Sequence, residues 1–180
     1  MFKARLELNH SQLDLGAEIL GVFVSFLPER RDASDVFEEL AQHPGAEVRE
    51  AVASKKPLTD ETVRLLAQDK SQAVLIALIN NDAANQQIPA SRVDEFIATD
   101  DSAMLRTIFQ NIQNMTQLDT ARIVNSLANH KDASLRREVA RSSDTGIELL
   151  HHLARDEDPD VRDAALKTIQ GNCGPDNDFE

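Results

Sequence analysis

The sequence has few of the residues on which many classes of protein depend. Among its 180 residues there is one cysteine, and there is no tryptophan or tyrosine. A single cysteine excludes an internal disulfide, a four-cysteine iron–sulfur site and a CxxC motif. Glycine and proline number six each, which is about half of average usage and too few for the many turns of a β-sandwich or barrel. These shortages favour a helical protein of a reducing compartment.

Long apolar segments and basic regions are also missing. The longest apolar stretch, residues 19–27, is nine residues long, whereas a membrane-spanning helix needs about 20. The formal net charge is −12, and such a surface repels phosphate, while the absence of tryptophan and tyrosine leaves few rings for stacking on bases. We therefore expect a cytoplasmic protein with no membrane segment, and we do not expect nucleic-acid binding.

An internal repeat runs through most of the chain. One pattern occurs five times, at intervals of 26 to 31 residues. It consists of leucine or isoleucine, alanine, any residue, and then histidine or aspartate. An aliphatic residue follows five positions after the histidine or aspartate. Similarity at such a period is typical of stacked structural units. Each copy places a short polar turn between two apolar segments, so we predict five helix pairs. The histidine or aspartate of each copy is His43, Asp69, Asp100, His130 or Asp156.

The last copy carries a family resemblance. Residues 156–165 resemble the helix junction of HEAT and HEAT-like repeats, with the family's Asp, Pro, Val-Arg and small-residue positions filled. Two other copies have an arginine at the same position, Arg49 and Arg136, whereas one copy has Leu75 at that position. The short units also resemble leucine-rich-repeat-variant proteins, another armadillo-type superhelix. The resemblance implies an all-α fold over residues 32–170, an α-solenoid of about five short helix-turn-helix repeats.

Residues of the types that cap helix N-termini predict where several helices begin. The last helix should end at Gly171, because glycine favours the residue after a helix. The predicted caps are Thr59, Ser91 with Asp94, Thr116 with Asp119, and Asp158 before Pro159.

The two ends lie outside the repeat, although we expect one domain overall. Residues 2–8 alternate apolar and polar side chains, the period of a strand. Three interpretations remain open: an extended capping segment, a helix, or an edge that pairs with another chain. Ser11 and Asp14 have capping-box spacing and predict a helix over residues 12–26, so that residues 1–31 cap the solenoid. A cap needs a polar outer face, and an apolar one would indicate a docking surface. Residues 171–180 are expected to form a flexible acidic tail.

Four arginines share the position after the aliphatic residue of a copy, so stacking would align them. Either they pair with acidic residues of neighbouring units as a ladder, as in HEAT-like repeats, or they bind a partner. His43 and His130 occupy helix junctions, where aspartate caps the next helix and histidine bonds free carbonyls of the previous one. We expect no bound metal or cofactor. The partner-binding candidates are Arg49, Arg106, Arg136 and Arg162.

No phosphate-binding loop, GxSxG elbow or HExxH sequence is present. The first functional hypothesis is therefore a non-enzymatic scaffold or adaptor that holds a protein or peptide on the concave face of the solenoid. Its acidic surface suits a basic partner. The alternative is an enzyme or enzyme subunit of the HEAT-like type, similar to bilin lyases or alkylpurine DNA glycosylases. The sequence predicts neither the oligomeric state nor the identity of the partner.

Overall fold

The computed structural model describes residues 4–8, 11–30, 33–115 and 118–172, and in this part of the chain the fold is predominantly helical, as predicted. Two short 3-10 helices, Asn85–Gln87 and Ile112–Asn114, supplement the α-helices. The elements are β1 (Ala4–Leu8), β2 (Ser11–Leu15), α1 (Ala17–Phe26), α2 (Ser34–Leu40), α3 (Ala46–Ala53), α4 (Asp60–Leu66), α5 (Gln72–Ile79), α6 (Ala90–Ala98), α7 (Ser102–Asn111), α8 (Thr120–Ala128), α9 (Ala133–Arg141), α10 (Ile147–Leu153) and α11 (Pro159–Asn172).

The first two elements form an antiparallel hairpin. Its register places Ala4 opposite Leu15 and Arg5 opposite Asp14, and the Arg5 Nε donates to Asp14 Oδ1 at 2.9 Å. The alternation in residues 2–8 therefore indicated a strand correctly. This strand, β1, pairs with β2, the next segment of the same chain.

The predicted helix start at Ser11 was wrong. Residues 11–15 pair with β1, and α1 begins five residues later than predicted, at Ala17. The physical reason is visible in the sequence, because Leu13 and Leu15 alternate with polar residues. That alternation suits the ladder with β1, whereas the Ser11–Asp14 spacing is a local preference that pairing overrides.

The five predicted helix pairs are present: each of the five polar turns lies between two helices, from α2–α3 to α10–α11. Thr59 caps α4 through Thr62 N, 3.1 Å from its Oγ1. At the start of α11, Asp158 Oδ1 accepts from Asp160 N at 2.9 Å and from Val161 N at 3.2 Å. Both predicted caps are confirmed.

Other predicted helix boundaries need correction. Ser91 is not a cap, since α6 begins at Ala90 after Pro89. Asp119 is itself the cap of α8, accepting from Arg122 N at 3.1 Å, while Thr116 lies outside the described residues. The last helix continues past Gly171 to Asn172. The expectation for the tail falls on residues 173–180, which are also outside the described part.

The chain divides into two compact units, Met1–Leu118 and Asp119–Glu180, where the sequence analysis expected one domain. In the first unit α1 packs on α3, α3 on α5 and α5 on α7, while α2 contacts α4. In the second unit α9 packs on α11 and α8 contacts α10. Within each unit, therefore, the second helices of successive pairs pack on one another. No helix in the described residues has both the length and the apolarity that crossing a membrane requires.

The contact between α1 and α3 is close because of a glycine. A Cβ on Gly21 would lie 2.8 Å from the carbonyl oxygen of Glu47 on α3, so the two backbones touch where a side chain would separate them. The end of α1 is held by the buried Lys55, whose Nζ donates to Ser25 O at 2.6 Å and Leu27 O at 2.8 Å. A cation at this place satisfies carbonyls that the helix leaves free.

We predict that Gly21→Ala destabilises the protein by about 1–3 kcal/mol, because the added methyl group meets a backbone oxygen that cannot rotate away. The matched control is Gly171→Ala, also within a helix, where a Cβ would have no neighbour within 4 Å. Alanine's higher helix propensity should make that change neutral or stabilising by up to about 1 kcal/mol. Urea unfolding measures both variants, and equal free energies of unfolding would contradict the close approach.

Candidate functional site

We call the polar turn between the two helices of a pair a junction. In four junctions the histidine or aspartate of the repeat lies three residues before the second helix. In each, one side-chain atom accepts the backbone N–H two residues on, so imidazole and carboxylate act as equivalent acceptors. The four bonds are His43 Nδ1 with Gly45 N (3.0 Å), Asp69 Oδ1 with Ser71 N (2.8 Å), His130 Nδ1 with Asp132 N (3.0 Å) and Asp156 Oδ1 with Asp158 N (2.8 Å). The Nδ1 atoms of both histidines thus accept from the turn that follows them.

Arg49 connects its own junction to the next one along the chain. Its Nη1 donates to the carbonyl oxygens of His43 at 2.7 Å and Pro44 at 2.9 Å. Its other edge binds both oxygens of Asp69, with Nε at 2.5 Å from Oδ2 and Nη2 at 2.9 Å from Oδ1. One guanidinium therefore fixes two turns whose equivalent residues, His43 and Asp69, lie 26 positions apart in the sequence.

Arg136 repeats this arrangement in the second unit. Its Nη1 donates to His130 O at 2.7 Å and Lys131 O at 3.2 Å. Its Nε and Nη2 bind Asp156 Oδ2 at 2.7 Å and Oδ1 at 2.8 Å. Both side chains of the pair are 8% exposed. The ladder expected from the sequence is therefore present at two of the four arginines, Arg49 and Arg136.

The pairing perturbs both aspartates in the same direction. The hydrogen bonds from Arg136 hold the pKa of Asp156 below its usual value, even though burial opposes ionisation. For Asp69 burial alone would raise the pKa, but hydrogen bonds from Arg49 and from the Ser71 backbone outweigh that effect and lower the pKa. Both junction carboxylates are therefore stabilised in their charged form.

The third junction shows what happens where the arginine is absent. Leu75 occupies the arginine position of the preceding helix and is buried in the core. The junction residue that follows, Asp100, is exposed and has a left-handed backbone with φ of 55°. Its neighbour Asp101 caps α7 instead, accepting from Met104 N at 2.8 Å. Where leucine stands in place of the arginine, the following junction aspartate is therefore exposed and its turn has a different backbone conformation.

The remaining two candidate arginines lie on α7 and α11. Arg106 is half-buried on α7. Arg162, on α11, keeps the contacts to its own junction, donating from Nη1 to Asp156 O at 2.8 Å and Glu157 O at 2.9 Å. Its Nε and Nη2 have no acceptor among the described residues.

A second feature, which the sequence analysis did not place, is an apolar stripe on α1. While Leu20, Gly21 and Val24 are buried, four large apolar side chains point outward at helical positions i, i+3, i+4 and i+7. They are 51% to 81% exposed, far more than the core-facing residues of the same helix. We call them the α1 stripe: Ile19, Val22, Phe23 and Phe26. The polar outer face expected of a cap is therefore absent from α1.

An acidic groove lies beside this stripe. It has a volume of about 460 Å³ and runs between α1 and α3, with Val22 of the stripe in its wall. Four exposed glutamates line it, and none of them forms an ion pair with a described lysine or arginine. The Nζ of Lys55, which also lines the groove, is occupied by backbone carbonyls. The four glutamates are Glu18, Glu29, Glu47 and Glu50.

The second unit contains a groove of its own between α8 and α10, with a volume of about 850 Å³. Its walls combine apolar side chains with amides and acids, among them Val124, Asn125, Asn129, Ile147, Glu148 and His152. Within the described residues, no group of three or more histidine, cysteine, aspartate or glutamate side chains is arranged to hold a metal ion.

Comparison with known proteins identifies no relative: no protein-family model, no curated protein and no solved structure matches this chain. Its functional assignment therefore depends on the contacts and surfaces described above.

We predict that Asp156→Ala lowers the free energy of unfolding by about 3–5 kcal/mol, because the buried Arg136 loses the carboxylate that binds its Nε and Nη2 and keeps only the exposed Glu157, 3.4 Å from Nη2. The matched control is Asp163→Ala, which removes an exposed ion pair with Lys167 on the same helix and should cost less than about 1 kcal/mol. Urea unfolding of the two variants compares a buried pair with an exposed one. A similar small cost for both would mean that the Arg136 pair does not hold the junction.

A second prediction concerns acid. Because the pKa of Asp156 is lower in the folded state than its ordinary value of 3.8, its contribution to stability is complete above about pH 4 and is lost as the pH falls through the folded-state pKa. The difference in unfolding free energy between wild type and Asp156→Ala should therefore shrink below pH 4. Urea unfolding at pH 7, 4 and 3 tests this, and a difference that is constant across these pH values would contradict it.

Proposed function

We propose that this protein is a non-enzymatic interaction module that docks an amphipathic helix carrying lysine or arginine on the α1 stripe. The observation that carries the proposal is the outward exposure of four large apolar side chains on one helix, next to a groove lined by four glutamates. Contiguous exposed apolar side chains of this kind, rimmed by charged residues, are typical of protein-binding surfaces.

The shape of the stripe favours a helical partner. Its members at i, i+3, i+4 and i+7 form a straight apolar ridge along α1, and the second helices of the first unit already pack side by side in this way. A partner helix lying along α1 would cover Phe23 and Phe26, and burying side chains of this size contributes about 1.5–3 kcal/mol each.

The charge beside the stripe favours a basic partner. Glu18 and Glu29 flank the two ends of α1, and Glu47 and Glu50 face the same groove from α3. Lysine or arginine next to the partner's apolar residues would meet these carboxylates without displacing an existing ion pair. The formal net charge of −12 adds long-range attraction for such a segment.

A second copy of this chain fits the stripe less well. It would bring the same glutamates to the interface, and like charges facing each other oppose association. A single ten-residue helix also falls short of the roughly 800 Å² per partner that a stable dimer buries. For these reasons the proposal commits to a basic partner.

The HEAT-like assignment, the α-solenoid arrangement and the cytoplasmic location belong to this proposal. The first two are supported by the five helix pairs, by the packing of successive second helices within each unit, and by the bidentate arginine–aspartate pairs between consecutive junctions. The cytoplasmic location stays a prediction from the sequence. The proposal moves the partner from the concave face, where the sequence analysis put it, to α1, because the largest cluster of outward apolar side chains among the described residues is there.

The test uses a short helical peptide of leucine and lysine with the i, i+3, i+4, i+7 apolar pattern, and a counterpart in which glutamate replaces lysine. Fluorescence anisotropy should show binding of the lysine peptide that weakens with salt. The double variant Phe23→Ser, Phe26→Ser should weaken it at least about tenfold, or about 1.4 kcal/mol. Both side chains are exposed, so the variant should fold as the wild type does.

The matched control is Ile147→Ser, which changes an exposed apolar residue of the groove between α8 and α10. It should leave binding unchanged. Loss of binding in this variant, with none in the α1 variant, would place the site in the second unit and overturn the proposal. Equal binding of the lysine and glutamate peptides, or binding of neither, would overturn it too.

A further inference from the structure

The groove between α8 and α10 continues into a second cavity, which has a volume of about 470 Å³. Asn129 and His152 line both cavities, so the two form one continuous groove within the second unit. The N-terminal ends of α8 and α10 line the first cavity, and the residues after their C-terminal ends line the second. The two helices therefore run side by side in the same direction, and the groove follows their length.

The two ends of this groove carry opposite charge. At the N-terminal end, Asp144 and Glu148 are exposed, and neither forms an ion pair with a described lysine or arginine. At the C-terminal end the carboxylates that line the second cavity contact Arg136. Arg155 is exposed there and forms no ion pair with a described acid, and Lys131 adds a further positive charge. The groove thus has an acidic end and a basic end.

The wall of the groove near its acidic end is largely apolar. Val124 of α8 and Ile147 of α10 line it, and Ile147 is 49% exposed. An apolar side chain that covered Ile147 would remove this surface from water, which is favourable. An occupant that matches the whole groove therefore carries a cation, an apolar group and an anion in this order.

We propose that the groove binds an extended segment of a partner protein with the pattern Lys-x-Leu-x-Glu, or the same pattern with arginine or aspartate. Every second side chain of an extended segment points to the same face, so the three named residues would face the groove together. Lysine would meet Asp144 and Glu148, leucine would cover Val124 and Ile147, and glutamate would meet Arg155. The site is separate from the α1 stripe and does not depend on the function proposed for it.

The length of the groove favours an extended segment over a helix. Glu148 and Arg155 lie seven residues apart, which at the helical rise corresponds to about 10 Å, and Asp144 extends the acidic end beyond the start of α10. Residues one and five of an extended segment lie about 13 Å apart, whereas the same residues of a helix lie only about 6 Å apart along its axis. A helical segment with this pattern would therefore not reach both ends.

NMR titration of the nitrogen-15-labelled full chain with the peptide acetyl-Lys-Ala-Leu-Ala-Glu-amide tests the proposal. The backbone amide signals of Val124 and Ile147 should shift as peptide is added. Glu148→Gln and Arg155→Gln should each raise the Kd roughly two- to fivefold, the range expected for an exposed ion pair. Both side chains are exposed, so the variants should fold as the wild type does.

Two further peptides identify which charges meet. A peptide with glutamine in place of lysine should bind wild type and Glu148→Gln equally, because the contact that the variant removes is already absent from the peptide. A peptide with glutamine in place of glutamate should bind wild type and Arg155→Gln equally for the same reason. If each variant weakened these neutralised peptides as much as the original one, the proposed contacts would be wrong.

Arg141→Gln is the matched control for Arg155→Gln, since Arg141 is an exposed arginine of the same unit that lines a different cavity, between α9 and α11. It should leave the Kd unchanged, as should the double variant Phe23→Ser, Phe26→Ser of the α1 stripe. An equal loss in the Arg141 variant would mean that only net charge matters, and a loss in the stripe variant would place the peptide on α1. Either result, or a peptide that shifts no signal of the groove, would overturn the proposal.

Discussion

A buried arginine–aspartate pair links consecutive helix pairs, and much of the local geometry depends on it. One guanidinium holds the carbonyls of its own turn and the carboxylate of the next turn, so neither turn can move without breaking charged hydrogen bonds. The carboxylate in turn accepts the backbone N–H that begins the following helix. The same side chains therefore fix how consecutive helix pairs align and where the following helix begins. Where Leu75 replaces the arginine, the next aspartate is exposed and its turn adopts another backbone conformation.

The parts of the fold that could be predicted are those encoded by local spacing. The repeat of Leu-Ala and His or Asp located all five turns, and in four of them the repeat residue is a side-chain acceptor three residues before a helix. The alternation in residues 2–8 indicated a strand, but its partner could not be predicted, since Ser11–Leu15 carries both a capping spacing and a strand period. In the structure these residues pair with β1, so they form a strand and do not begin a helix. Ser91 failed as a cap because α6 already begins at Ala90, with Pro89 at the N-cap position.

Other stabilising contacts could not be predicted because their partners are backbone atoms distant in sequence. Lys55 satisfies the end of α1, Asn81 donates to Ala53 O and Lys55 O after α3, and Thr168 donates to Ala140 O in α9. Each acts on a helix 25 to 30 residues earlier, and no local pattern identifies it. The candidate arginines show the same limit. Spacing placed Arg49, Arg106, Arg136 and Arg162 in one group, and three of them, Arg49, Arg136 and Arg162, bind carbonyls of their own junction. That Arg49 and Arg136 also bind an aspartate 20 residues later depends on how consecutive helix pairs pack, which no local spacing encodes.

The helices α1 and α11 differ in the polarity of their outer faces. Each has one face covered by a neighbouring second helix of its own unit. The outer face of α11 carries Asp160, Asp163 and Lys167, which water can solvate, so that this helix needs no further partner to be stable. The outer face of α1 instead carries the α1 stripe, which water solvates poorly. The described residues leave this apolar face exposed, and the glutamates beside it form no ion pair with a described lysine or arginine. Covering the face with a basic helix would lower the free energy of the system, and this is the physical basis for proposing recognition at α1.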